Sequence, residues 1–128
     1  MYRRRPHGGR EMISSQILQS TIDGLKAITR VDMCVMDTEG NAVASTYSEK
    51  NDYSSIVRAF VDSALESQMM QGCYFYKVYD EYRLEYILMV YGTTEESQTI
   101  GKDAVFQIQG LLVAYKERFD KDNFVKNL

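Results

Sequence analysis

The chain has 128 residues, 45% of them apolar, with ten tyrosines, five phenylalanines, two cysteines, a single histidine and a formal net charge of −3. That length suits one hydrophobic core and not two, the composition excludes a disordered chain, and the longest uncharged apolar run, residues 86–91, is far short of the ~18 residues a membrane helix needs. A soluble, cytoplasmic protein is expected, and because His7 is the only histidine, neither a zinc site nor a Ser-His or Cys-His catalytic pair can be assembled; no enzyme and no cofactor is expected.

Residues 1–11 differ from the rest. Arg3, Arg4, Arg5 and Arg10 combine like charges with Pro6, Gly8 and Gly9 and no apolar face, so a disordered tail is expected, with Met12 as an alternative first residue. The stretch lacks the apolar centre of a secretion signal. Without it the chain keeps 11 basic and 17 acidic residues, a net −6, and is a poor partner for phosphate backbones. From Ile13, Ile17, Leu18, Thr21, Ile22, Leu25 and Ile28 recur at three- and four-residue steps, predicting an amphipathic helix capped by Ser14 or Ser15. Residues 31–36 form a β-prone run apolar on both faces, as an inner strand requires. Asp37-Thr38-Glu39-Gly40-Asn41 then places a turn former first and a glycine where positive φ is needed, folding the chain back into Ala42-Val43-Ala44-Ser45-Thr46.

A polar stretch, residues 48–52, precedes Ile56, Val57, Phe60, Val61, Ala64 and Leu65, whose spacing predicts a second helix. Met69 and Met70 read as core fillers behind it. Gly72 opens a second, aromatic hairpin, residues 73–79 and 83–91, joined by Asp80-Glu81-Tyr82. A three-residue connection would set Val78 opposite Leu84, Tyr76 opposite Tyr86 and Tyr74 opposite Leu88, with Lys77 opposite Glu85. Thr93-Thr94-Glu95-Glu96 fits a capping box for a last helix with Val105, Ile108, Leu111, Leu112, Tyr115 and Phe119 as its apolar stripe. Gly110 within that stripe suggests close packing, or else a hinge. Residues 12–119 are thus expected to form one domain, and residues 120–128 the start of a linker to a further C-terminal region. Cys34 and Cys73, each inside an apolar run, read as buried reduced thiols.

The order α-β-β-α-β-β-α describes an α+β domain in which an antiparallel sheet is flanked by helices. PAS, GAF and roadblock/profilin-type domains are similar in arrangement. Residues 12–17, 35–40 and above all the run from Phe106 to Leu128 resemble the N-terminal part of the sugar-diacid-utilisation regulators, relatives of the purine-catabolism regulators. The resemblance implies a signal-sensing domain of a bacterial transcription regulator whose DNA contacts lie in a C-terminal helix-turn-helix outside this chain.

Two functions compete on that reading. A dimeric domain sensing a small carboxylate such as a sugar diacid needs a cavity of about 300 Å³ with converging polar groups, whereas a roadblock-like protein-interaction platform fills that space with side chains. For the sensor, the expected ligand site is Thr46, Lys77, Arg83 and Tyr91, on the sheet face shared with Phe75, Tyr79, Glu85, Ile87 and Met89, with the Arg83 guanidinium gripping a carboxylate. Helix one or the last helix is expected to form a homodimer contact. Asp37, Glu39 and Glu85 read as a turn former, a solvated charge and the partner of Lys77 rather than as catalytic carboxylates. Tyr74, Tyr76, Tyr86 and Tyr91 read as core or interface rings.

Overall fold

The elements follow one another as α1 (Gly8–Thr29), β1 (Met33–Met36), β2 (Ala42–Ser45), α2 (Ser54–Asp62), β3 (Ser67–Met70), β4 (Cys73–Asp80), β5 (Arg83–Tyr91) and α3 (Glu95–Lys126). The computed structural model describes residues 8–48 and 51–126, with side chains over 15–48 and 51–116. The strands form one antiparallel sheet in the order β2-β1-β5-β4-β3, so the fold is α+β with helices on both sheet faces. α1 lies over β2 and β1, and α3 beside it over β4 and β5. Together with Leu18, Ile22, Ala104 and Ile108, one sheet face buries Met33, Val35, Val78, Leu88 and Val90. The opposite face buries Cys34, Met36, Cys73, Phe75, Ile87 and Met89 beneath Val57 and Phe60 of α2. Both cysteines are buried, as their apolar surroundings predict.

The first hairpin forms as its turn residues require. The Asp37 carboxylate accepts the Glu39 and Asn41 N–H groups, both at 2.9 Å, and Gly40 takes φ 91°. All four residues of β1 are buried, alternating between the two cores.

Several expectations are corrected. A fifth strand, β3, ends in Met69 and Met70, the two residues read as core fillers, because Gln71 and Gly72 both take positive φ and make a two-residue turn pairing Met70 with Cys73. Met70 packs on the α2-side core, but Met69 is 54% exposed. α2 stops at Asp62: Ser63 is extended, its hydroxyl bonds the Phe60 carbonyl, and the Leu65 N–H bonds the Ser63 hydroxyl, leaving Ala64 and Leu65 outside the helix. The β4–β5 connection is a two-residue turn, with Asp80 paired to Arg83 and Glu81 at φ 62°. A bulge at Val78/Tyr79 then sets Val78 opposite Tyr86, Tyr76 opposite Leu88 and Tyr74 opposite Val90, and moves Leu84 to the α2-side core.

Helix ends differ too. α1 already includes residues 8–11, placed in the tail by composition, while residues 1–7 lie outside the described residues. Ser15 is therefore interior to the helix, and its hydroxyl bonds the Val43 carbonyl instead of capping. The α3 cap is Thr94, whose hydroxyl accepts the Ser97 N–H at 3.0 Å, one residue later than the box read at Thr93 and Glu96. α3 runs on through residues 120–126, the stretch expected to begin a linker.

Candidate interaction surface

The four residues expected to hold a carboxylate do not converge. Thr46 and Tyr91 meet around Asp32: the Thr46 hydroxyl donates to the Asp32 carboxylate at 2.8 Å and accepts the Met33 N–H at 3.0 Å, and the Tyr91 N–H bonds the Asp32 carbonyl at 3.0 Å. Arg83 stands at the other end of β5, eight residues and about 26 Å from Tyr91 at ~3.3 Å per residue, with its side chain 82% exposed. Its guanidinium lies 3.8 Å from Glu85, the carboxylate expected beside Lys77. Lys77 is instead buried. Its ammonium donates to the Ser63 carbonyl at 2.6 Å and sits 5.2 Å from the centre of the Phe60 ring. The positive charge thus meets the carbonyl end of α2, which fastens that helix to the sheet.

The sheet face expected to hold the ligand is filled by rings, thioethers and aliphatic side chains. Val57, Phe60, Phe75, Ile87 and Met89 are each 0–1% exposed, and the Phe75 ring makes edge contacts with Tyr53 and Phe60 at 6.0 and 6.5 Å. Burial raises the Asp32 carboxyl, but hydrogen bonds from Lys26 and Thr46 and the Lys26 charge outweigh it, so the net shift is downward. Burial, with Tyr74 adding to it, pushes the Tyr76 hydroxyl up to about 12, and that hydroxyl donates to the Gln98 carbonyl at 3.1 Å. These groups are structural. Among the described residues no three His, Cys, Asp or Glu side chains gather to hold a metal ion.

Open space lies on the outside, between α1 and α3. A groove of about 530 Å³ is lined by Ser20, Thr21, Gly24 and Ile28 on one side and by Gln107, Gly110 and Leu111 on the other. A methyl group added at Gly24 or Gly110 would meet nothing within 4 Å, so the close packing expected at Gly110 is absent. Ile28, read as part of the core stripe, is 82% exposed, and Phe106 is 78% exposed. Residues 104–115 carry no charge in a chain that is 26% charged, although Phe106, Gln107, Gly110, Leu111, Val113 and Ala114 face outward. That uncharged run was the available sequence signal; a periodicity search for buried positions passes over it because the exposed apolar residues fall outside the stripe.

The two sheet edges are unlike. Along β2, the Gln19 side-chain amide donates to the Ser45 carbonyl at 2.8 Å and accepts the Ser45 N–H at 3.1 Å, and Ser15 donates to the Val43 carbonyl. α1 thereby supplies the bonds a neighbouring strand would make. β3 has no such side-chain cap among the described residues. Comparison of the sequence with protein-family models gives no match, and comparison with curated proteins gives none.

Proposed function

We propose that the protein is a protein-interaction platform of the roadblock type and that it carries no metabolite in its core. One observation supports this above the others. The space between α2 and the sheet, where a sensor would keep its ligand, is occupied by Val57, Phe60, Phe75, Ile87 and Met89, all but completely buried. A platform puts its capacity on its surface, and the outward face of α1 and α3 offers an uncharged groove whose lining includes exposed Ile28 and Leu111. In a regulator of the sort the C-terminal resemblance implies, such a module would join chains or receive a partner protein, and the response to a sugar diacid would reside in another part of the molecule.

Native mass spectrometry of the purified chain, followed by thermal melting with sugar diacids and small hydroxy acids, tests the reading. A ligand at ~100 times its dissociation constant stabilises a fold by about 2.7 kcal/mol, or on the order of 10 °C for a domain this size. The platform reading expects masses in whole multiples of 14.8 kDa and no melting shift. A copurified small-molecule adduct, or a shift of that size with any diacid, overturns it.

A further inference from the structure

We infer that the bare edge of β3 is a docking site for an extended, basic segment of a different protein, which adds to the five-stranded sheet as a further strand outside β3. This rests on the platform reading and names the kind of partner the platform receives.

The backbone of β3 calls for a strand. In a two-residue hairpin the residues on either side of the turn are hydrogen-bonded to each other, and bonded and non-bonded pairs then alternate along the ladder. Met70 opposite Cys73 and Gln68 opposite Phe75 therefore turn their backbone groups toward β4, and the Lys77 N–H, donating to the Glu66 carbonyl at 3.0 Å, continues the alternation. Ser67 and Met69 turn theirs away from the sheet, where no described residue bonds them. Such an edge is usually blunted by charge or proline, and Ser67-Gln68-Met69-Met70 contains neither. β2, at the other edge of the same sheet, is bonded by Gln19 and Ser15. Side chains favour the same addition. Met69 is 54% exposed and Leu65, just before the strand, 50% exposed, so an incoming strand gains apolar contacts beside its main-chain bonds.

Charge selects the occupant. Asp62 ends α2 and Glu66 directly precedes β3, and both are exposed; the Glu66 carboxylate accepts the Tyr79 hydroxyl at 3.3 Å. No lysine or arginine occurs in residues 59–76. Of the cations on either side, Arg58 donates to the Ser54 carbonyl at 3.4 Å, and Lys77 is buried against the Ser63 carbonyl. A second copy therefore brings no cation on its own β3 to this edge. A foreign strand carrying lysine or arginine beside its apolar residues meets both carboxylates, and its charge steers it to the edge that its backbone completes.

The test is titration of the full 128-residue chain with a short synthetic peptide of alternating valine and threonine that has lysine at both ends, followed by amide hydrogen exchange. Saturable binding with a dissociation constant below ~1 mM is expected, and a glutamate-ended peptide should bind at least ~10-fold more weakly. Exchange should slow at the Ser67 and Met69 amides and stay unchanged along β2. Met69→Pro removes an outward donor without touching a bond to β4 and is expected to weaken binding at least ~10-fold. A second arm alters the peptide alone, so that no folding defect can enter: N-methylating one of its two alternating sets of amides should abolish binding, and methylating the other should leave it. No binding up to that concentration, equal binding of the glutamate-ended peptide, or binding that both methylated forms retain overturns the inference. So does slow exchange at Ser67 and Met69 before any peptide is added, which would mean that a second copy already occupies the edge. None of these results touches the platform reading, which fails only if the core takes up a ligand.

Discussion

Asp32 ties the end of α1 to the start of β1, through Lys26 on one side and Thr46 on the other, and its titration offers a handle on that junction. Its folded-state value lies below the ordinary 3.8, so folding favours the ionised form. The associated stability is complete above about pH 4 and is lost as pH falls through the lower folded-state value. Asp32→Asn should therefore lower the urea midpoint at pH 6 and converge toward wild type at pH 2.5; parallel curves would exclude the role. Tyr76 has the opposite sense. With its hydroxyl raised to about 12, folding favours the neutral ring, and its contribution is full below pH 10 and lost as pH rises through 12. Lys77 and Arg83 separate structure from function most simply. Lys77→Ala strips the α2 terminus of a buried charge-assisted bond and should cost about 2–3 kcal/mol in urea unfolding, whereas Arg83→Ala, at an exposed side chain, should stay within roughly 0.5 kcal/mol. Equal losses would refute the assignment.

At the scale of elements, α3 depends on one close approach. A Cβ at Gly101 would fall 2.4 Å from the Tyr76 ring, which is buried and hydrogen-bonded across to the helix. Gly101→Ala should thus be destabilising by about 1–3 kcal/mol in thermal or urea unfolding, despite the helix propensity that alanine adds. A neutral or stabilising result would mean that the ring has room to move. The first hairpin, the buried strand β1, the start of α2 and the long last helix were legible in the sequence because each follows from local chemistry: the Asp37–Gly40 turn, the run apolar on both faces, and the three- and four-residue apolar spacing of the helices. β3 was not, since a four-residue strand with two exposed positions has no pattern of its own and becomes a strand only through pairing with β4. The β4–β5 register failed for a related reason. Glu81 takes a positive φ without being glycine, and the bulge that follows depends on where β5 must meet β1. The supposed ligand cluster inherited that error. Lys77 was assigned Glu85 by register alone, and the carbonyl it binds belongs to a helix end that sequence spacing could not bring to it.

Across the whole molecule, the two helical faces and the two sheet edges divide the surface into regions of different chemistry. α2 covers one sheet face and is held by Lys77; α1 and α3 cover the other and leave an uncharged groove outward. The amide of Gln19 on β2 has a consequence for how such chains behave when crowded. In polymerisation terms, a sheet with two bare edges is a bifunctional monomer that adds units at both ends without limit. One whose second edge is already saturated is monofunctional, and its growth stops after a single addition. Among the described residues, Gln19 and Ser15 occupy the Val43 carbonyl and both Ser45 backbone groups on the β2 edge from within the same chain, while β3 has no such side-chain cap. Gln19→Ala should restore the second functionality: beyond losing about 1–2 kcal/mol of hydrogen bonding, the variant should pass from discrete species to open-ended, thioflavin-positive growth in concentrated solution, where the wild-type chain terminates. If both remain discrete under light scattering, the seal on β2 is not what limits the chain length.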